Sequence, residues 1–376
     1  MNKLVLITAL AAVFMLFSCG RAGTTVSRSD GDTVEFRYAR LIEMVRYDDY
    51  TVVRLADPWN KGKVLHTYVL VPRSSGKVTD LPEGTVIRTP LRRAISFTTV
   101  HTALAIDLGC RESIAGVADL QYNKLSYITQ QCRNGKIADV GNSMNPDIEK
   151  IIDACPDAVL VSPFENSGGY GKLEETGIPI IECSDYMETS PLGRAEWMRF
   201  YGMLLGAEKE ADRCFAAVDS SYHALKAMVD SSTVRPTVLM DKITGPVWYV
   251  PGGCSTIGVM LKDAGFGYAF AGDGHSGSLS LSFESVLEKC GDADVWLFRY
   301  CSKTPLTYAG LYSEYHGYDR LRPFRERACY GCNVETSLFY EESPFRPDYL
   351  LGDLIRIAHP ELGLSGGMRY FEKLSK

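Results

Sequence analysis

Histidine is scarce in this chain of 376 residues: there are 6, widely scattered. No H-E-x-x-H occurs, which excludes the helix of a zinc protease. No G-x-S-x-G elbow occurs either, because Gly274-His275-Ser276-Gly277-Ser278 misses the final glycine. Positive charge is not in excess. A net charge of −6 without a basic stripe argues against a chain that neutralises phosphates, so no nucleic-acid partner is expected. A second C-x-x-C is missing. Cys329-Tyr330-Gly331-Cys332 stands alone and no paired histidines follow it, so a four-ligand zinc site lacks its other half and no metal centre is expected. The motif is left as a redox pair, a local disulfide or two free thiols.

What is present begins with a targeting segment. Lys3 precedes an apolar run over residues 4–17, too short to favour a permanent transmembrane helix. Leu16-Phe17-Ser18-Cys19 is similar to a bacterial lipobox, with Phe17 larger than that motif prefers. Residues 1–18 are therefore expected to be a lipoprotein signal peptide, cut before Cys19, whose thiol is acylated. Each buried methylene of an acyl chain contributes ~0.8 kcal/mol to membrane attachment. The alternative is an ordinary secretory signal cut nearby. Residues 19–33, small and polar, are expected to be a tether. No acidic run directly follows Cys19, so the expected site is a periplasm-facing anchor in a Gram-negative bacterium. Of the 11 cysteines, those left after Cys19 are even in number, which permits disulfides without demanding them.

The body of the chain is ordinary globular material, 45% hydrophobic and 23% charged, and its length suits two lobes. Residues 34–72 alternate apolar and polar positions around the turn Asp57-Pro58-Trp59-Asn60-Lys61-Gly62. They are expected to form an antiparallel hairpin or meander. From Arg93 strands alternate with helices, the pattern of a mainly parallel sheet covered on both faces. Residues 191–205 suit one helix. Residues 207–229 carry no glycine or proline and suit a single long helix that bridges two lobes. After Ser231 the alternation restarts. The expected division is a lobe at 34–190, a helical linker at 191–232 and a second lobe at 233–376. Gly272-Asp273-Gly274-His275-Ser276-Gly277 satisfies G-x-G-x-x-G, but no helix starts at these glycines. The string reads as a mobile loop and not as a dinucleotide site.

One module occurs twice. Residues 149–161 read EKIIDACPDAVLV and residues 284–298 read ESVLEKCGDADVWLF. Each opens with Glu, spaces aliphatics as a helix does, reaches Cys155 or Cys290, and runs into a buried strand. Both cysteines read as small buried apolar residues. Matched halves imply a cleft between two lobes, which is where the ligand is expected to sit. The loops after parallel strands face such a cleft. That rule selects Tyr122, Phe164, Tyr170 and Met187 in the first half. In the second it selects Trp248, Tyr249, Arg299, Tyr300 and Tyr330, with Asn333 able to orient a polar group. With 21 tyrosines and 4 tryptophans, the chain can line a site for a large, flat, partly apolar ligand. His101 and His359 read as structural.

Three segments carry a family resemblance. They are Gly141-Asn142 ahead of Asn145-Pro146-Asp147-Ile148-Glu149 with Cys155-Pro156-Asp157-Ala158-Val159; Ser282-Phe283-Glu284-Ser285-Val286-Leu287 with Ala293-Asp294-Val295-Trp296; and Arg346-Pro347-Asp348-Tyr349-Leu350-Leu351-Gly352-Asp353-Leu354 with His359-Pro360-Glu361. The chain resembles the substrate-binding proteins of ABC importers for iron chelates, haem and cobalamin, over roughly residues 93–361. The resemblance implies an α/β fold of two mainly parallel-sheet lobes bridged by one long helix. It implies a monomer without catalytic chemistry, whose ligand is a metal chelate and whose partner is an ABC permease dimer. Glu149 and Glu284 match the family's permease-docking acids. An iron chelate (siderophore or haem) is the first expectation and cobalamin the second. A lipoprotein redox enzyme using Cys329 and Cys332, or a chelate sensor with no permease, are the other classes.

Overall fold

The computed structural model describes residues 31–165, 169–230 and 232–375. The signal peptide and Cys19 lie outside the described residues. Five strands come first: Asp32–Val34, Ile42–Arg46, Thr51–Ala56, Val64–Pro72 and Thr85–Thr89, in that order across one sheet. The first four pair antiparallel, as expected of a meander, and the last pairs parallel to the fourth. The sheet is thus larger than residues 34–72. It also takes in residues 32 and 33, which the sequence reading assigned to the tether.

Two parallel sheets follow. The first lobe orders its strands Ile180–Glu182, Ala158–Val161, Ala94–Ser96, Ile114–Val117 and Ala138–Asp139, all parallel. The second orders Gly267–Tyr268, Thr237–Met240, Val295–Tyr300, Cys329–Asn333 and Phe371–Lys373, parallel except for the last. Val247–Pro251 is a correction to the simple alternation. It pairs antiparallel with Ser278–Leu281 in a separate three-stranded sheet. The glycine loop at 272–277 leads into that strand and not into a helix.

The duplicated module takes the same place in both lobes. Ile148–Asp153 feeds Ala158–Val161, and Phe283–Cys290 feeds Val295–Tyr300. Each module strand pairs with the opening strand of its lobe. An aspartate fixes each register. Asp157 accepts from the backbone N–H of Arg92 (2.6 Å) and Arg93 (3.0 Å), and Asp294 from that of Thr237 at 2.7 Å. Asp294 is therefore the structural equivalent of Asp157. The paired cysteines differ from expectation: Cys290 is buried, but Cys155 is exposed, at a φ of 45°.

The bridge is the helix Glu208–Asp230, 23 residues long, about 35 Å at 1.5 Å per residue. It packs on Met198–Leu205 and on the C-terminal helix Pro347–Ala358. The single helix expected over 191–205 is two, Pro191–Glu196 and Met198–Leu205, meeting at Trp197. The turn falls where Trp197 Nε1 donates to Glu188 Oε1 at 2.9 Å. Glu188 Oε1 also accepts from the backbone of Arg40 and Leu41, and Glu196 from that of Arg37, Tyr38 and Ala39. Two buried carboxylates thereby fasten the N-terminal sheet to the linker.

A third buried acid holds the first lobe. Asp185 accepts from His101 Nε2 at 2.8 Å, Tyr201 Oη at 2.7 Å and Arg194 Nε at 3.1 Å. Burial opposes the Asp185 charge, but His101 and Arg194 hold its carboxyl down to about 2. Burial likewise opposes the charge on His101, but Cys183 and Asp185 beside it push the imidazolium up to about 10. The stability from His101 is complete below its ordinary value of 6.5 and is lost as pH rises through about 10. That from Asp185 is complete above 3.8 and is lost as pH falls through about 2. Denaturant midpoints should therefore plateau between these limits and fall on the alkaline side, and His101→Ala should flatten the alkaline arm. Asp185→Asn should cost about 3–5 kcal/mol, since it leaves a buried cation without its partner.

Candidate functional site

Strand order places the site. In the first lobe the opening strand Ala94–Ser96 lies between its second strand, Ile114–Val117, and the module strand Ala158–Val161. The chain winds away in opposite directions from this pair, and the carboxyl ends of such strands leave a crevice. Phe97 and Thr98 follow one strand and Ser162 the other, and all three line a cavity of about 820 Å³. Met144, Asp147, Glu149, Phe164, Tyr170 and Lys172 complete much of its wall.

Local structure explains these positions. Gly141–Asn142 and Asn145–Pro146 form a tight hairpin whose tip carries Met144. Gly141 takes a φ of 81°, and Ser143 at the tip is held by the Asp119 carboxylate. Met144 is 73% exposed and Phe164 45% exposed, so both offer apolar surface at the mouth. Asp147 caps the helix Ile148–Asp153 by accepting from Lys150 N, which holds its carboxyl below the usual range. Glu149 stands in the first turn of that helix. Tyr170 donates its hydroxyl to Glu182 Oε1 at 2.8 Å, and its N–H to Glu174 Oε1 at 2.8 Å. Burial, with the Glu182 charge beside it, pushes the phenol well above its ordinary value, so Tyr170 is a protonated hydrogen-bond donor.

The second lobe repeats the geometry with a different outcome. Its crevice falls between Thr237–Met240 and Val295–Tyr300. Asp241 follows the first of these at a φ of 56°, and its carboxylate takes Arg299 in a fork, 3.0 Å from Nε and 2.6 Å from the terminal nitrogen. Burial opposes the Arg299 charge but Asp241 more than restores it. Arg299 is therefore already neutralised, with its guanidinium 5.9 Å from the Phe339 ring centroid.

The large cavity lies within the first lobe, lined only by residues of the span 97–173, and not between the lobes as expected; of the nine residues the strand-end rule selects, only Phe164 and Tyr170 line it. Tyr122 is 67% exposed, on a turn after Ile114–Val117. Met187 ends the turn Ser184–Met187 and is partly exposed. Trp248 is a correction. It is fully buried, packed against Phe283, Trp296 and Tyr318, and its indole N–H donates to Met240 O at 2.9 Å. The neighbouring Tyr249 points the other way and is exposed. Tyr300 accepts from Leu306 N at 3.2 Å, and its ring covers Gly331 so closely that a Cβ there would lie 2.7 Å from it. Tyr330 is half-buried, with Lys373 Nζ 6.0 Å from its ring centroid. Asn333 staples its own loop through Ser302 and Glu335.

The sequence reading missed Phe97, Met144 and Lys172. Phe97 ends the strand that the sequence suggests over residues 94–97 and Thr98 directly follows it, so the strand-end rule should have found them. Met144 gives no such signal, because the two-residue hairpin that presents it is too short to read.

Cys329 and Cys332 are unpaired and buried, and burial pushes their thiols up to about 12 and about 11. Such thiols hold almost no thiolate near neutral pH. Glu284, like Glu149, is exposed in the first turn of its module helix, behind the cap Ser282. The lobes touch where the Lys124 amine donates to Val334 O and where Thr256 Oγ1 donates to Glu188 O at 3.1 Å.

The sequence profile of the periplasmic binding protein family matches residues 95–315. An uncharacterized lipoprotein of Methanocaldococcus jannaschii is 28% identical over 288 residues, covering 73% of this chain and 67% of that one. A periplasmic heme-binding protein of Pseudomonas aeruginosa aligns with a TM-score of 0.59 at 15% identity, over 76% of this chain and 99% of that one. A molybdate periplasmic binding protein of Haemophilus influenzae aligns with a TM-score of 0.58 at 16% identity, over 73% and 88%. Both likenesses are of fold, and the ligands named for the two proteins differ. The lipoprotein relative is archaeal, so the Gram-negative setting expected from the sequence finds no support. Among the described residues no helix is long and apolar enough to cross a membrane. A redox enzyme built on Cys329 and Cys332 fits neither the buried thiols nor these likenesses. The chain belongs to the periplasmic binding protein family, whose members bind substrates for transport and are not enzymes.

Proposed function

We propose that this protein captures a metal chelate, a siderophore or haem, in the cavity beside Phe97, Phe164 and Tyr170 and delivers it to an ABC permease. The observation that carries the reading is that cavity. Its volume, about 820 Å³, falls within the range of small-molecule sites, roughly 300–1,000 Å³. Its wall combines aromatic rings, a thioether, and charges of both signs, with Lys172 available to a ligand carboxylate. A buried aromatic removes about 150–250 Å² from water, an upper bound near 4–6 kcal/mol at ~25 cal/mol per Å². A micromolar-to-nanomolar site needs about 8–12 kcal/mol net. Two or three ring contacts therefore suffice, and both Phe164 and Met144 have surface to bury.

Delivery follows from the two exposed module acids. An exposed ion pair contributes about 0.2–1 kcal/mol, so Glu149 and Glu284 would orient the protein on its permease more than they would tighten it. A lipid at Cys19 would keep the protein on the membrane that holds the permease. Cobalamin is the second ligand, because its macrocycle is also suited to an aromatic-lined cavity.

The deciding experiment is an absorbance titration with hemin, a ferric siderophore and cyanocobalamin. One of the first two should bind with saturation at one per chain, and absence of binding by all three would remove the reading. Phe164→Ala should weaken binding while the melting temperature stays put. Trp248→Ala should do the reverse and cost about 3–5 kcal/mol of stability, as large aromatic-to-alanine core changes do. Glu284→Arg should leave binding intact and depress uptake in transport assays. Glu149→Arg should depress both, since Glu149 also lines the cavity.

A further inference from the structure

The family match begins at residue 95, so the five-stranded sheet at 32–89 lies outside it. That sheet nevertheless reaches the cavity wall through one carboxylate. Glu182 ends the edge strand Ile180–Glu182 of the first lobe. Its backbone N–H donates to Tyr68 Oη at 2.8 Å. Its Oε2 accepts from His66 Nδ1 at 3.1 Å, and its Oε1 from the Tyr170 hydroxyl at 2.8 Å. The other ring nitrogen, His66 Nε2, meets Thr85 Oγ1 at 2.8 Å. The imidazole stacks on Tyr68, centroids 4.3 Å apart and planes 14° apart. His66, Tyr68 and Thr85 all belong to the accessory sheet; Tyr170 lines the cavity.

We propose that the accessory sheet is a working part of the ligand site, with His66 acting through Glu182 as a positioning residue for Tyr170. The inference rests on reading this cavity as the ligand site. The physical reason lies in how a ring on a cavity wall is held. One side of it has no packing, so its orientation depends on where its ends are tied. Tyr170 is tied at the backbone by Glu174 and at the hydroxyl by Glu182. Glu182 in turn has one partner on each carboxylate oxygen, and its side chain is only 13% exposed, so water is a poor substitute for either. Removing His66 frees the carboxylate to rotate and takes the phenol with it. A ligand then has to order the ring on binding, which weakens affinity by about three- to tenfold.

The test is a double-mutant cycle read by hemin titration of His66→Ala, Tyr170→Phe and the double variant. His66→Ala should weaken binding by about three- to tenfold, and the double variant should bind no worse than Tyr170→Phe alone. His66→Asn, which keeps a donor in place of Nδ1, should recover part of the loss. Additive losses in the cycle would overturn the proposal, because they would mean that His66 acts by some route other than the Tyr170 hydroxyl. A second readout needs no ligand. In protein labelled with 3-fluorotyrosine, the Tyr170 fluorine resonance, assigned by its loss in Tyr170→Phe, should shift or broaden in His66→Ala. A resonance that does not move overturns the relay. If hemin binds to no variant, the ligand reading fails for this chelate while the fluorine resonance still decides the relay.

Discussion

Parallel pairing of each lobe's opening strand with its module strand is the constraint on which the rest of this molecule depends. Ala94–Ser96 against Ala158–Val161, and Thr237–Met240 against Val295–Tyr300, put two carboxyl ends side by side with the chain winding away in opposite directions. A parallel pair slipped by one residue would turn every inward side chain outward. Asp157 and Asp294 guard against this by accepting backbone N–H groups at the start of the neighbouring strand. The crevice that results has a different fate in each lobe. In the first it stays open as the large cavity. In the second Asp241 and Arg299 meet across the crevice and neutralise one another.

The long bridging helix and the buried acids set how far these parts can move. A continuous helix between the lobes resists bending where a pair of loops would not. The lobes also touch through Lys124 and Val334, and Phe345 from the C-terminal segment packs on His101 of the first lobe, with centroids 6.1 Å apart. Glu188, Glu196 and Asp185 are all nearly or wholly buried. Each is expensive to bury, and each is surrounded by donors that would be equally expensive to leave unpaired. The linker, the accessory sheet and the first lobe therefore form one polar framework as well as one apolar core.

This framework gives the accessory sheet a place in the architecture that its position ahead of the family match would not suggest. Its loop is clamped by Glu188 and Glu196, and its fourth strand touches Glu182 at the cavity's edge. The same segment thus stabilises the linker and borders the site.

Much of this was legible in the sequence. Alternation of strand and helix, the uninterrupted stretch that becomes Glu208–Asp230, and the doubled module all depend on periodicity and on the absence of glycine and proline. Those are local properties, and a chain carries them wherever it folds. The choice among aromatics was not local. Trp248 and Tyr249 are adjacent, yet one is sealed in the core and the other exposed, because pairing with Ser278–Leu281 decides which face of the strand is inward. Arg299 looks like a free cation until Asp241, far away in sequence, is brought to it. Glu149 is a helix-opening acid in the sequence, and only the strand order places it on a cavity wall. Side-chain direction and pairing come from register between distant segments, and register exists only once the sheets have formed.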